Sequence, residues 1–187
     1  MRAVGYSVEA AIADLVDNSI SARAEVVQIK YDASDDAYVA ILDNGIGMAP
    51  DQLTNAMRHG SGNPADLREP DDLGRFGLGL KTASLSQCRK LTVVSRKDKV
   101  TSARRWDLDV VQQSGRWLVV VPEKKDLESL PMYTRLQDME SGTLVVWQEL
   151  DRLTAGAFDP QSEMTTKLSS LFEHLARRVD EASTDHA

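Results

Sequence analysis

Four short stretches of this chain carry residue types and spacings able to hold a ligand that is both flat and anionic. Asp14 and Asn18 lie four positions apart, so on a helix they share one face. A carboxylate there can position and deprotonate a water. The amide oxygen of Asn18 can ligate Mg²⁺, a hard ion satisfied by oxygen donors, phosphates and waters. Asp43-Asn44-Gly45-Ile46-Gly47-Met48 begins where a strand-like run ends. Its carboxylate can accept an exocyclic amine such as that of adenine, while two glycines let a flat base approach the backbone without a Cβ in the way. Gly74, Gly77 and Gly79 precede Leu80-Lys81-Thr82, where a helix is expected to open. Free backbone N–H groups and the positive end of the helix dipole would then face an anion, with Lys81 adding a formal charge. Finally, Ser141-Gly142-Thr143 places hydroxyls at the start of a strand-like run, within reach of a base or its acidic partner.

Each stretch has an ordinary structural reading when taken alone. Polar pairs four apart are common on solvated helix faces, Asp-Asn-Gly is a frequent hairpin turn, and glycines before a helix serve close packing. The glycine stretch is not a P-loop, because Leu80 intervenes before Lys81-Thr82 and no hydrophobic strand leads into it. It is not the dinucleotide fingerprint either, since Gly77-Leu78-Gly79 lacks the following glycine. His59, His174 and His186 have neither helical pairing nor cysteine partners, which argues against zinc.

The elements that must position these residues follow from hydrophobic periodicity. Val8, Ile12, Val16 and Ile20 recur every four residues, predicting a helix over 8–24 with that stripe on the core and Asp14 and Asn18 roughly opposite. Residues 26–31 and 38–42 read as two strands of a hairpin. Pro50 suits the first turn of a short helix to about His59, stopped by Gly60. Residues 61–72, rich in Gly, Asn, Pro and Asp, read as a surface loop of the kind that forms a lid. A helix over 80–87, strands over 91–95, 103–111, 117–121 and 143–148, and a helix over 163–179 complete the reading. Helices and strands are segregated rather than alternating. That order predicts an α+β, two-layer sandwich with helices on one face of a mixed, mostly antiparallel sheet.

Length and a hydrophobic fraction of 42% fit one domain, taken as residues 1–182 with a disordered tail at 183–187. With 22 basic against 29 acidic residues the net charge is −7, which offers no footprint for gripping nucleic acid through its phosphates. One cysteine, Cys88, excludes an internal disulfide. No apolar run resembles a signal peptide or approaches the roughly 18 residues that span a bilayer, so a cytoplasmic location is expected, without direct membrane binding.

Taken in order, Asp14…Asn18, Asp43-x-Gly45-x-Gly47, Gly74-x-x-Gly77-x-Gly79 and Gly142-Thr143 are similar to the four boxes of the superfamily joining gyrase B, the large heat-shock chaperone, histidine kinases and MutL, known as GHKL. The wording of the second and third boxes looks most like the heat-shock chaperone and MORC branches. The resemblance implies a Bergerat-type ATP-binding fold. It makes Asn18 the Mg²⁺ ligand, Asp43 the adenine acceptor with Thr143 beside it, and Gly45, Gly47 and Met48 the wall against the base. Gly74, Gly77, Gly79 and Lys81 would hold the triphosphate under a lid formed by residues 61–72. Asp14 falls where many hydrolysing members carry glutamate, and Ser21 where the chaperone branch often has aspartate. The shorter Asp14 carboxylate would leave an attacking water roughly 1 Å out of place, a displacement that costs on the order of 100-fold in rate. The implied function is Mg-dependent ATP binding with slow hydrolysis, used as a conformational or dimerisation switch for a neighbouring domain or a protein client. The alternatives are a histidine-kinase catalytic domain and an ATP sensor or scaffold without turnover.

Overall fold

The structure, a computed structural model, describes residues 7–32, 34, 36–58, 76–151, 159, 161–167 and 169–170. Among these, five strands form one sheet in the order β1-β2-β5-β3-β4. They are β1 (Val27–Asp32), β2 (Tyr38–Asp43), β3 (Lys90–Lys97), β4 (Val100–Asp107) and β5 (Gly142–Gln148). Every pairing is antiparallel, and β5, the last of these strands in sequence, is inserted between β2 and β3. Helices α1 (Val8–Ser21), α2 (Pro50–Met57) and α3 (Phe76–Gln87) contribute to the core on one face. The chain is thus an α+β sandwich, as expected.

Alternation along the strands divides the sheet's residues between two apolar layers. Val39 and Ile41 of β2, Leu91 and Val93 of β3, and Val145 and Trp147 of β5 meet Ile12, Leu15, Leu53, Met57 and Leu80 of the helices. The intervening Ala40, Leu42, Val94, Leu144 and Val146 face the other way. That second face is covered too, by Leu130, Leu136 and partly buried Leu127 and Tyr133 from a segment holding α5 (Lys124–Glu128) and α6 (Tyr133–Gln137). Neither short helix was expected from the sequence. Both faces being buried, β2, β3 and β5 read as nearly continuous apolar runs rather than alternating ones.

Helix α1 starts at Val8 as expected, but its end, at Ser21 rather than residue 24, and the identity of its buried face differ from expectation. Ser7 caps the helix by accepting the Ala10 N–H at 3.2 Å. The buried residues are Val8, Ala11, Ile12, Leu15 and Ser19, whereas Ile20 is 61% exposed. A stripe repeating every four residues drifts by about 40° per step on a helix of 3.6 residues per turn. By Ile20 it has left the core, and Ser19 has rotated in.

Three other expected elements change. The strand expected over 103–111 ends at Asp107, which caps α4 (Leu108–Ser114) by accepting N–H groups from Asp109 and Val110. Gly115, in the left-handed conformation, closes that helix. The strand expected over 117–121 is reduced to a single bridge between Arg105 and Val120, beside the outer edge of β4. Helix α3 opens at Phe76 rather than Leu80, taking Gly77 and Gly79 into its first turn instead of a preceding loop. Gly74, the candidate lid at 61–72, His59, Gly60 and the tail at 183–187 lie outside the described residues. Of the C-terminal helix expected over 163–179, residues 163–167 and 169–170 are helical, residues 161–162 are helical ahead of it, and the rest lies outside the described residues. No helix among the described residues is long and apolar enough to cross a membrane.

Candidate functional site

The site is built where the helix-side face of the sheet turns from apolar to polar. Three rows cross strands β2, β5 and β3: Val39, Trp147, Leu91, then Ile41, Val145, Val93, then Asp43, Thr143, Ser95. Register alone places the last three side by side, because each stands two residues beyond an apolar residue of the same face. Asp43 is the last residue of β2 and Thr143 the second of β5. All three are buried, Ser95 completely.

Asp43 is held by three donors. The N–H groups of Gly45 and Thr143 donate to Oδ1 at 2.9 and 3.2 Å, and Ser19 Oγ donates to Oδ2 at 3.0 Å. A carboxylate offers about four accepting positions, so among these contacts Oδ2 keeps one directed elsewhere. Burial is the largest influence on its acidity and pushes the Asp43 pKa up, against the downward pull of the Gly45, Ser19 and Thr143 hydrogen bonds. A buried carboxylate with spare accepting capacity is what a site needs to bind an amine with direction and selectivity.

The loop after β2 forms one wall. Asn44 fixes it to the end of α1 by accepting the N–H groups of Glu25 and Val26 through Oδ1, both at 2.9 Å, while Ile46 N–H donates to Ala22 O at 3.0 Å. Gly47 takes φ +63°, and a Cβ there would overlap the Arg96 carbonyl of β3, so only glycine fits this crossing. A Cβ on Gly45 would stand 2.7 Å from Ala22 O. Met48 N–H then donates to Ser95 Oγ at 2.8 Å, tying the wall to β3.

Between this wall, α1 and α3 lies a cleft of about 540 Å³ including its open mouth. Leu15, Ile41, Leu80, Val93 and Val145 give it an apolar floor, Met48 and Ile46 flank it, and Asn18, Ser19, Asp43 and Thr143 supply polar atoms. A few convergent polar groups over an apolar floor suit a planar heteroaromatic ring.

Of the residues predicted from the sequence, the fold brings Asn18, Asp43, Gly47, Met48 and Thr143 to the cleft lining, with Gly45 bonded to Asp43. Asp14 lies one turn before Asn18 on α1, part-buried, and the lining takes in Asn18 but not Asp14. Gly77 and Gly79 sit in the first turn of α3, next to the lining residue Leu80. Lys81 points elsewhere: it is buried, its Nζ donates to the Arg58 carbonyl just past α2, and loss of hydration lowers its pKa. Among the described residues no cluster of three or more His, Cys, Asp or Glu gathers to hold a metal.

Sequence reasoning missed Ser19, Asn44 and Ser95 as site residues. Ser19 and Asn44 adjoin residues singled out for chemistry, but their partners lie across a tertiary contact. Ser95 ends the apolar run of β3, and only the strand order makes it a neighbour of Thr143.

Comparison with known proteins matches residues 6–143 to the family model described as histidine kinase-, DNA gyrase B-, and HSP90-like ATPase. The chain is 32% identical over 94 residues to ATPase morc-1 of Caenorhabditis elegans, covering 50% of this chain and 11% of that protein. It is 30% identical over 115 residues to the DNA mismatch repair protein MutL of Herminiimonas arsenicoxydans, covering 60% and 18%. With MutL of Pasteurella multocida it shares 37% identity over 87 residues, covering 46% and 14%. The matched part therefore spans less than a fifth of each of these relatives.

Proposed function

The chain belongs to the histidine kinase-, DNA gyrase B- and HSP90-like ATPase family, and from that premise we propose that its cleft binds Mg·ATP through the adenine end and hydrolyses it slowly. The observation that carries the reading is Asp43: a buried carboxylate with three internal donors and one accepting position left, at the rim of an apolar floor. The exocyclic amine of adenine donates to Asp43 Oδ2, the ring lies on Ile41, Val93 and Val145, and the Gly45–Met48 wall closes its edge.

The donor set also fits the ion. Asn18 offers a neutral amide oxygen on the cleft side of α1. With no carboxylate cluster among the described residues, Mg²⁺ would take most of its ligands from phosphate oxygens and water, as this reluctantly dehydrated ion prefers. When bound it supplies neutralisation of the phosphate charge. The first turn of α3, with Gly77 and Gly79, offers N–H groups to the phosphates. Asp14, one turn before Asn18, is the general base for the attacking water. Nucleotide occupancy in turn biases dimerisation or a neighbouring domain; two of the relatives extend far beyond their matched part, which leaves room for such a domain.

Calorimetric titration with a non-hydrolysable ATP analogue, with and without Mg²⁺, tests the reading. Binding that strengthens with Mg²⁺ is expected; no heat at high protein and ligand concentration would overturn it.

A further inference from the structure

Ser95 stands behind the cleft lining, fully buried, and its hydroxyl joins the two walls of the site. Oγ accepts the Met48 N–H at 2.8 Å and lies 3.0 Å from Thr143 Oγ1 and 3.2 Å from Gly142 O. Ser95 has one proton to give, and two acceptors compete for it. The contact to Thr143 is the shorter, closer to the usual O–H···O distance. Donation from Met48 N–H into Oγ also polarises the Ser95 O–H, making it a better donor and Oγ a poorer second acceptor.

We propose that Ser95 donates to Thr143 Oγ1 and so turns the Thr143 hydroxyl proton into the cleft, which makes Ser95 the positioning residue that sets the preference of the site for adenine over guanine. The inference rests on the reading of Asp43 as acceptor for the base amine. Asp43 and Thr143 are register partners, with Thr143 N–H 3.2 Å from Asp43 Oδ1, so the cleft shows an acceptor beside a donor. Adenine complements this with its amine beside the ring nitrogen N1. In the same pose guanine turns its O6 to the carboxylate and its N1–H to the hydroxyl, so its N1–H needs that hydroxyl to accept. Direction along the chain Met48 N–H to Ser95 to Thr143 therefore decides whether the position beside Asp43 matches the N1 of adenine or the N1–H of guanine.

The test compares affinities for non-hydrolysable ATP and GTP analogues in the wild type, Ser95→Ala and Ser95→Thr, with thermal melting to establish folding. In Ser95→Ala the Thr143 hydroxyl is released to rotate and accept. The ATP-over-GTP ratio is expected to narrow about tenfold, the worth of one such hydrogen bond. Ser95→Thr, which keeps the hydroxyl, is expected to restore it. A purely structural role would weaken both analogues equally, so an unchanged ratio in folded Ser95→Ala overturns the inference while leaving ATP binding standing. A ligand-side measurement needs no variant: an ATP analogue with N1 replaced by C–H is expected to bind the wild type about tenfold more weakly. Equal binding of that analogue and ATP would overturn the inference. A wild type that binds neither nucleotide would instead overturn the parent reading and this one with it.

Discussion

Replacing Asp43 by asparagine separates binding from folding at a single atom. In the native site Oδ1 takes two backbone N–H groups, from Gly45 and Thr143, and an amide oxygen can do the same. The new Nδ2 would stand where Oδ2 was, 3.0 Å from Ser19 Oγ, and donate to it, while the single Ser19 proton turns from residue 43 to Leu15 O, 3.2 Å away. Every internal partner of residue 43 is thus satisfied in the variant. The base amine, however, loses its acceptor and meets a donor. A hydrogen bond to a charged group is worth about 1.5–3 kcal/mol, and a buried donor left unmatched costs about 1–3 kcal/mol more. At about 1.4 kcal/mol per decade, affinity for ATP should fall about 10²- to 10⁴-fold. Stability moves the other way. Burial raises the Asp43 pKa above its unfolded value, so the favourable contribution of this group is present at low pH, below the unfolded pKa, and is lost as pH rises through the folded one. Near neutrality the ionised carboxylate costs the fold free energy that the neutral amide does not. Asp43→Asn should therefore melt no lower than the wild type at neutral pH and show a flatter dependence of melting temperature on pH above the ordinary carboxylate range. In the wild type, acidification into that range should weaken ATP binding as the acceptor is protonated. Calorimetric titration alongside thermal melts reads all three. A folded Asp43→Asn that binds within threefold of the wild type would refute the assignment.

Two further perturbations test the wall and the chemistry. Gly47→Ala places a Cβ against the Arg96 carbonyl at φ +63°, so it should destabilise the fold by more than about 2 kcal/mol and weaken nucleotide binding, read by denaturant unfolding and titration; near-native stability would mean the loop is not fixed as described. Asp14→Asn should leave ATP affinity within a few fold and reduce phosphate release to background, read in a continuous phosphate assay; an unchanged slow rate would remove Asp14 from catalysis and favour a sensor without turnover.

The parts legible in the sequence were those whose information is local. Asp43-Asn44-Gly45-Ile46-Gly47 reads as a strand end with room for a base because the strand signal, the carboxylate and the glycines are consecutive, and the fold places Asp43 as the last residue of β2. The hairpin of β1 and β2 and the N-terminus of α2 at Pro50 follow from adjacent residues in the same way. What escaped depended on long-range packing. The buried face of α1 was misjudged because four-residue spacing and true helical period differ by an angle that accumulates, and only packing against β2 and α3 decides which residues win. The polar pair α5 and α6 had no periodic signal, since each is five residues long and its apolar contribution comes from Leu130 and Leu136 at its margins. Gly77 and Gly79 read as loop because glycine costs a helix about 1 kcal/mol relative to alanine, a local preference that tertiary packing overrides in α3.

Ser95 shows the same limit at the site itself. Its place two residues after Val93 puts it on the helix side of the sheet, a deduction available to anyone who knows which face Val93 takes. That knowledge was hidden because both faces of β3 are apolar and the alternation is erased. Nor does chain order suggest that β5 lies between β2 and β3, so Thr143, 100 residues from Asp43, had no visible reason to have Ser95 as its other neighbour. The residues proposed to touch the base are therefore written in short motifs, whereas Ser95, proposed to aim one of them, is written only in the strand order. A search for specificity in such domains should begin from the row of the sheet that ends in the acidic acceptor, and follow it one strand beyond the motif.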